Sequence, residues 1–396
     1  MSKWKTYRAD DFCLTVTDGT HDSPKPQPSG RYLITSKHLK SFEIDFSSAN
    51  KITEEDYNKI IQRSKVEQYD ILFSMIGTIG NIHRVTIPNV DFAVKNMGIF
   101  KMGGDAAKSL WMYYWLQSPE AKKYINSRIT GSTQGYLTLK NLRDFPVCVP
   151  PLETQKRIAD ILSAIDDKIE LNRRITTNLE QQAQALYKSW FVDFEPFGGK
   201  MPEDWRVGTI SNIVDLLNGF AFKSSDFVEK GLYKLITIKG VQDGNMSLDG
   251  ADCLDIIPPQ MPQWCKLKKE DILLSLTGNV GRCCLVDTEN CLLNQRVAKL
   301  HPKEEYNRLF VYALFRQEDM KARMISIARG TAQMNLSPIE TGKLPLIIPS
   351  NEVLKDFGNR FNNIIHTLTN NIVESSYLAQ LRDTLLPKLM SGEIKV

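Results

Sequence analysis

Residues that could carry out catalysis are sparse in this chain. His21 and Asp22 are adjacent in the segment HDSP, but no nucleophile accompanies them at the spacing of a catalytic triad. The glycine turns GTIG (residues 77–80) and GNVG (278–281) lack the following Lys-Ser/Thr of a phosphate-binding loop. A turn after a strand explains both glycine segments. The sequence therefore predicts no catalytic residues.

The cysteines do not form a metal-binding pattern. They stand at positions 13, 148, 253, 265, 283, 284 and 291, without a C-x-x-C pair. We expect free thiols in a reducing compartment, with a zinc site around Cys283, Cys284 and Cys291 as the alternative. The N-terminal segment is polar and no apolar run has the length of a membrane span, so we expect a cytoplasmic protein that binds no membrane.

The chain contains an internal duplication. GSTQGYLTLKNLRDFPVCVPPLE (131–153) aligns without a gap with GTAQMNLSPIETGKLPLIIPSNE (330–352), at an offset of 199. DILFSMIGTIG (70–80) aligns with DILLSLTGNVG (271–281) at an offset of 201. A repeat near 200 residues is far longer than a solenoid repeat, so each copy can form its own hydrophobic core.

Each copy consists of a mixed globule followed by a long helix. Short apolar runs bounded by glycine predict strands, and residues 107–127 and 307–327 have helical spacing, so we expect α+β globules at 1–151 and 197–350. Residues 152–192 contain no Gly or Pro. This predicts a helix in the segment 152–196, and the duplication predicts another at 351–396.

Heptad spacing predicts that the two helices pair as a coiled coil, and we expect the pair to be antiparallel, with a pseudo-twofold axis overall. The predicted interface positions are Ile158, Leu162, Ile165, Ile169, Asn172, Leu179, Leu186, Phe361, Ile364, Leu368, Asn371, Leu378 and Leu385. Asn172 and Asn371 occupy equivalent positions, either as tolerated polar residues or as a pair that fixes the register. We expect Trp190 and Phe191 to be buried against the first globule or a partner subunit.

The order of several motifs resembles the specificity (S) subunit of type I restriction-modification systems. These motifs are DGTHDSP (18–24), DILFSMIGTIGN (70–81), GSTQ (131–134), VPPLETQKRIADIL (149–162), ALYKSWFVDFEPF (185–197) and LRDTLLPKLMSGEI (381–394). The second copy departs from this pattern, since NGFAFKSSDF (218–227) stands where DGTH is expected.

The resemblance implies a non-catalytic subunit that binds double-stranded DNA. Each globule would be a target recognition domain that reads half of an asymmetric bipartite site. The helices would set the spacer and dock two methyltransferase subunits. S-adenosylmethionine would be bound by those subunits, and restriction subunits would use ATP and Mg²⁺, while this chain would bind no cofactor or metal itself.

Candidate DNA contacts are polar and basic residues in predicted loops, since base edges and phosphates are recognised by such side chains. In the first globule they are Thr20, His21, Lys25, Lys37, His38, Arg128, Ser132, Thr133 and Gln134. In the second globule they are Lys223, Ser224, Lys239, Arg329, Thr331 and Gln333. Closure of the loops on their own backbone is the competing explanation for the Ser and Thr residues.

The net charge of +4 permits DNA binding without requiring it. Two alternatives to the type I function therefore stay open. One is a specificity subunit of a related system in which nuclease and methyltransferase are fused. The other is an adaptor that binds no DNA and carries two binding globules on a coiled-coil strut.

Overall fold

The structure, a computed structural model of the 396-residue chain, describes residues 4–40, 42–131, 135–330 and 333–396. The chain divides into two units: the first contains Met1–Glu170 with Leu378–Val396, and the second contains Leu171–Tyr377. Both boundaries lie inside the predicted long helices. Each unit therefore combines one globule with parts of both helices, whereas the division of the sequence into four segments stays a prediction.

The first unit is built from short strands and helices. Its strands are β1 (Lys5–Arg8), β2 (Thr15–Asp18), β3 (Arg31–Ile34), β4 (Asn50–Ile52), β5 (Ile71–Ser74), β6 (Ile82–Arg84), β7 (Phe92–Val94), β8 (Met97–Lys101) and β9 (Pro146–Val149). Its short helices are α1 (Ala9–Phe12), α2 (Glu54–Ser64), α3 (Ala106–Trp115), α4 (Pro119–Arg128) and α5 (Leu139–Arg143). The long helix α6 (Leu152–Phe191) follows and continues into the second unit.

The strands of the first unit form a four-stranded sheet ordered β2-β8-β5-β6, a three-stranded sheet ordered β4-β3-β7, and the pair β1-β9. Strand β8 is antiparallel to β2 and β5, whereas β3 runs parallel to β7. Every residue of β5 is buried. A continuous apolar run of this kind is typical of a strand that is covered on both faces.

The second unit repeats this topology. Its strands are β10 (Arg206–Thr209), β11 (Val214–Asn218), β12 (Tyr233–Ile236), β13 (Cys253–Leu254), β14 (Ile272–Ser275), β15 (Cys283–Leu285), β16 (Cys291–Leu293), β17 (Val297–Pro302) and β18 (Pro345–Ile348). Its helices are α7 (Arg308–Arg316), α8 (Glu318–Ile327), α9 (Pro338–Gly342), α10 (Asn351–Phe361) and α11 (Asn363–Met390), of which α11 continues into the first unit. The sheets are ordered β11-β17-β14-β15, β13-β12-β16 and β10-β18. The predicted α+β fold and its duplication are confirmed.

A buried ion pair explains the repeated Asp of the DIL motif. The Asp70 carboxylate lies 2.7 Å from Lys101 Nζ and accepts a hydrogen bond from the Met102 amide at 3.1 Å. In the second unit Asp271 lies 2.7 Å from Lys299 Nζ. Burial raises the pKa of Asp70, and the neighbouring ammonium group opposes that shift. Each pair joins two central strands of its sheet, so the motif has a structural role.

Helix α6 has the predicted extent. It begins directly after Pro150 and Pro151 and contains 40 residues, which correspond to about 60 Å of helix. Beyond its end, Phe194 and Gly198 adopt the left-handed region with φ of 55° and 74°. The chain therefore cannot continue as a right-handed helix there.

The second long helix is interrupted, which the sequence did not predict. Helices α10 and α11 are separated at Asn362, whose Oδ1 accepts from the Leu309 amide at 3.0 Å and whose Nδ2 donates to the Glu305 carbonyl at 3.1 Å. A Cβ at Gly358 would lie 2.1 Å from the Tyr306 carbonyl oxygen. Side-chain hydrogen bonds to a neighbouring segment and a close backbone approach thus fix the break.

In the first unit α6 and α11 pack antiparallel. Ile158 and Leu162 share a hydrophobic core with Leu389, and Asp166 forms a 2.8 Å ion pair with Arg382. Residue numbers rise along α6 as they fall along α11. The predicted antiparallel pairing is confirmed within this unit.

The second unit shows the same direction of packing. Asn172 Nδ2 donates to the Glu374 carboxylate at 2.8 Å, and Ala183 shares a core with Ile364 and Leu368. Asn172 Oδ1 and Asn371 Nδ2 are buried without a hydrogen-bond partner among the described residues. Asn172 thus bonds to a carboxylate, and no hydrogen bond joins Asn172 Oδ1 to Asn371 Nδ2, as a register-fixing pair through these atoms would require.

The predicted interface positions differ in burial. Ile158, Leu162, Asn172, Ile364 and Leu368 are buried. Leu179, Leu186, Phe361 and Leu385 pack at the margins of the two cores. Ile165, Ile169, Asn371 and Leu378 are half-buried.

The expectation that Trp190 and Phe191 pack against the first globule or a partner was wrong. Both rings lie in the second unit, where Trp190 is 5.3 Å from Phe357 and Phe191 is 4.8 Å from Phe310, centroid to centroid. The reason is that the C-terminal half of α6 belongs to the unit that follows it in the sequence.

Candidate nucleic-acid interface

Strand ends of the four-stranded sheet converge at one edge of the first unit. The last residue of β2, Asp18, pairs with Gly98, and the last residue of β5, Ser74, pairs with Met97. Because both strands are antiparallel to β8, both end beside its first residues. The segments that follow β2 and β5 and the segment that precedes β8 therefore share this edge.

The three-stranded sheet contributes loops to the same edge. Parallel strands β3 and β7 end at Ile34 and Val94, which are paired. The Thr20 amide donates to the Val94 carbonyl at 3.0 Å, and the Lys95 amide donates to the Ile34 carbonyl at 2.9 Å. The loop that contains the exposed Lys37 follows β3 directly.

Two segments that are about 60 residues apart in the sequence meet at this edge. The Leu137 amide donates to the Met75 carbonyl at 2.9 Å, and Ile76 and Tyr136 form an antiparallel bridge. The residues directly before the GTIG turn thereby contact the described residues that follow GSTQ. We call the loops 19–25, 35–40, 75–81, 95–96 and 129–137, in their described part, the first loop surface.

Side-chain contacts fix the DGTH segment. His21 Nε2 lies 3.0 Å from the Asp18 carboxylate, and His21 Nδ1 lies 2.9 Å from Asn96 Oδ1. Arg63 forms a 3.0 Å ion pair with Asp18. Lys95 Nζ donates to the Ser23 hydroxyl. The side chain of His21 stays 62% exposed, so the segment is held in place while this ring is open to solvent.

The second unit places the equivalent segments together. Strands β11 and β14 end at Asn218 and Ser275, beside the start of β17. The Leu336 amide donates to the Leu276 carbonyl at 2.7 Å, and Thr277 Oγ1 donates to Asn335 Oδ1 at 2.9 Å. We call the loops 219–224, 237–242, 276–282, 294–296 and 329–335, in their described part, the second loop surface.

Most predicted DNA contacts belong to these two surfaces. In the first, Lys25 and Lys37 are exposed, Thr20 is half-buried, and Arg128 directly precedes the surface and stacks 5.4 Å from the Tyr124 ring centroid. In the second, Lys223, Ser224, Lys239, Arg329 and Gln333 are exposed. Ser132, Thr133, Gln134 and Thr331 lie outside the described residues.

His38 is not placed at the surface. It is 1% exposed, and its Nδ1 accepts a hydrogen bond from the Thr35 amide at 2.9 Å. Burial lowers the pKa of His38, and the nearby Lys37 ammonium lowers it further. A neutral, buried imidazole that closes its own turn has no face left for DNA in this conformation.

Some polar residues of both surfaces were not predicted from the sequence. Lys95 and Asn96 follow β7, and Asn294, Gln295 and Arg296 follow β16. Gln295 and Arg296 are exposed, while Lys95, Asn96 and Asn294 are half-buried. An offset of 199 aligns FAVKN with CLLNQ, so polar residues after equivalent apolar strands were a usable signal.

The described part of the chain has no group of three side chains suited to a metal ion. Cys283, Cys284 and Cys291 are buried, and burial raises the pKa of the thiols, to about 12 for Cys284 and about 11 for Cys291. They pack as core residues of β15 and β16. No helix of the described residues is long and apolar enough to cross a membrane.

The chain thus has a duplicated α+β fold with a loop surface that contains exposed polar residues on each copy. A family model described as type I restriction modification DNA specificity domain matches residues 1–181 and 202–374. The chain therefore belongs to the type I restriction-modification DNA specificity family, as a DNA-recognition subunit that is not itself catalytic.

Relatives are similar over the full length. The Type I restriction enzyme HindI specificity subunit of Haemophilus influenzae is 24% identical over 472 aligned residues, covering 100% of both chains. The MjaIX specificity subunit of Methanocaldococcus jannaschii is 24% identical over 383 residues, covering 92% of this chain and 86% of the relative. The crystal structure of a type I S subunit from M. genitalium has the same fold, with a TM-score of 0.60 at 17% identity, covering 98% of this chain and 96% of that one.

Proposed function

We propose that the first and second loop surfaces each read one half of a bipartite DNA site. The observation that carries this proposal is the repeated convergence of exposed polar loops at the same sheet edge in both units. Side-chain amides such as those of Asn96 and Gln333 suit base edges, and the ammonium groups of Lys37 and Lys239 suit phosphates. Since the two surfaces differ in sequence, the two half-sites differ as well.

The helices α6, α10 and α11 are proposed to set the spacer between the half-sites. Sites read by a duplicated protein are commonly separated by about one helical turn of DNA, near 34–36 Å. The same helices are proposed to dock two methyltransferase subunits. S-adenosylmethionine on those subunits would supply the methyl group for adenine N6, and restriction subunits would use ATP and Mg²⁺.

The sequence left two alternatives open, an adaptor that binds no DNA and a specificity subunit of a related system. The family match counts against an adaptor that binds no DNA. A related system with fused nuclease and methyltransferase would use the same recognition surfaces, and a partner gene encoding both activities would distinguish it.

The test is to express this chain with its methyltransferase partner in a bacterial host that lacks DNA methylation, and to map N6-methyladenine across the genome. We expect a split motif of two short, unlike half-sites around a spacer of fixed length. An assembled complex that methylates no motif would contradict the proposed function.

A further inference from the structure

A cavity of about 520 Å³ adjoins the first loop surface. Lys40 lines it from the loop after β3, and Gly80 and Asn81 line it from the turn after β5. Lys122 of α4 and Arg382 of α11 line it from the helical side. Three of its lining residues are thus cationic, and none is acidic.

The charges of these cations are unequally compensated. Arg382 pairs with Asp166 at 2.8 Å and with Asp383 at 2.9 Å. Lys40 and Lys122 are exposed, and neither has an ion-pair partner in the described part of the chain. Two ammonium groups at the border of a cavity attract an oxyanion because each gains a charge-assisted hydrogen bond.

The duplication supplies a direct comparison. An offset of 199 places Tyr312, Arg316 and Lys321 where the first unit has Tyr113, Gln117 and Lys122. The neighbouring loops correspond at an offset of 202, since the bridge Leu39–Ile44 recurs as Val241–Met246.

In the second unit this position is filled by the protein's own carboxylate. Asp243 lies 2.7 Å from Lys321 Nζ and 3.3 Å from Arg316 Nη1. The residue of the first copy that corresponds to Asp243 is Ser41, which lies outside the described residues. Both copies therefore have a lysine at this position, Lys122 or Lys321. Lys321 pairs with an acid of the same chain, whereas the sequence of the first copy has a serine where that acid stands.

We propose that the cavity lined by Lys40 and Lys122 binds a backbone phosphate of the DNA that the first loop surface reads. The location favours DNA, because Lys40 lies three residues after Lys37 and Asn81 belongs to the same turn as Gly77. Three residues span at most about 11 Å, which is within the reach of neighbouring phosphates. This inference rests on the proposed function and assigns phosphate positioning, not base readout, to the two lysines.

The test uses the assembled complex with its methyltransferase subunits and a duplex that contains the mapped motif. Binding is measured by fluorescence anisotropy across a salt series for wild type and for Lys40→Gln/Lys122→Gln. Loss of this phosphate contact should make the slope of log K against log salt less negative by about one unit. Affinity should fall equally for matched and mismatched duplexes.

Lys321→Gln is the matched control, since Lys321 is already neutralised by Asp243. It should leave the salt slope unchanged. An unchanged slope in Lys40→Gln/Lys122→Gln, with wild type binding its motif normally, would overturn the inference alone. If that variant instead lost methyltransferase subunits on gel filtration, the cavity would hold a carboxylate of a partner protein, which also overturns it. Absence of motif-specific binding by wild type would refute the proposed function instead.

Discussion

Buried ionisable side chains determine how the first unit responds to pH. His83 is 8% exposed on β6, and its Nδ1 has no hydrogen-bond partner among the described residues. Burial lowers its pKa to about 4. The unfolded chain therefore binds more protons than the folded chain between that value and about 6.5, so stability falls as pH falls through this window.

We expect the first unit to lose about 2 kcal/mol of stability between pH 7 and pH 5 through His83 alone. His83→Gln removes the titrating group, so this part of the pH dependence should disappear even if the variant is less stable at pH 7. Hydrogen exchange of the β5 and β8 amides at both pH values measures the difference. Equal pH dependence in variant and wild type would show that the imidazole is protonated without cost.

Side chains of three helices meet at the carboxylate of Asp166. Tyr114 of α3 donates to Asp166 of α6 at 2.9 Å, and Arg382 of α11 pairs with it at 2.8 Å. Asp166 is 7% exposed, so these two partners replace the hydrogen bonds that water would otherwise make to its carboxylate.

Arg382→Met should therefore destabilise the first unit by about 3 kcal/mol, because a buried charge is left with a single hydroxyl donor. Arg382→Met/Asp166→Leu should regain most of that loss, since apolar replacement of both partners is often neutral. Urea denaturation, monitored by hydrogen exchange of α3, measures both. A single variant no less stable than the double variant would contradict the assignment.

Elements rather than single residues carry the proposed spacing function. The unit boundaries fall after Glu170 in α6 and after Tyr377 in α11. Neither position is in a loop, because α6 is unbroken around Glu170 and α11 is unbroken around Tyr377. Residues inserted there would therefore lengthen the helix itself.

Four residues inserted at both boundaries would lengthen each helix by about 6 Å while rotating the following segment by only about 40°. The preferred spacer should then rise by one to two base pairs. Methylation mapping with the altered subunit reports the new spacer directly. Insertion of the same four residues into the exposed 198–200 turn is the control, and an unchanged spacer in the helix variant would reject the ruler.

Across the whole molecule, the sequence predicted the architecture of each copy but not how the copies share their helices. The prolines before and after residues 152–192, together with the heptad spacing, predicted α6, and the repeated motifs predicted the segments that form the loop surfaces. The packing of Trp190 on Phe357 could not be predicted, since nothing in a heptad pattern states which globule a helix end contacts. The break at Asn362 depends on two backbone groups more than 50 residues away in the sequence, which local propensity does not encode.

The stability of the first unit depends on residues 378–396, because this segment of the chain belongs to that unit. Leu386, Leu389 and Met390 are buried in the same core as Ile158 and Leu162. Removal of one large core side chain typically costs about 2–5 kcal/mol, and a whole domain is stable by only about 5–15 kcal/mol.

A chain that ends at Tyr377 should therefore lose hydrogen-exchange protection in β5, β8 and α3 while β14 and β17 stay protected. A chain that ends after Met390 retains the three core residues and serves as control. Full protection of β5 in the shorter chain would show that the α11 segment is dispensable for the first core.

Because α11 contributes its C-terminal part to the first unit, the first core can be completed only late in synthesis. The first globule leaves the ribosome early, yet its core is completed only by Leu386, Leu389 and Met390, which lie beyond the entire second globule in the sequence. At about 5–20 residues per second, the roughly 220 residues between Glu170 and Met390 take on the order of 10–40 s to emerge. During that interval the apolar face that Ile158 and Leu162 present on α6 lacks these core partners, so the core of the first unit closes only after the second globule has been made.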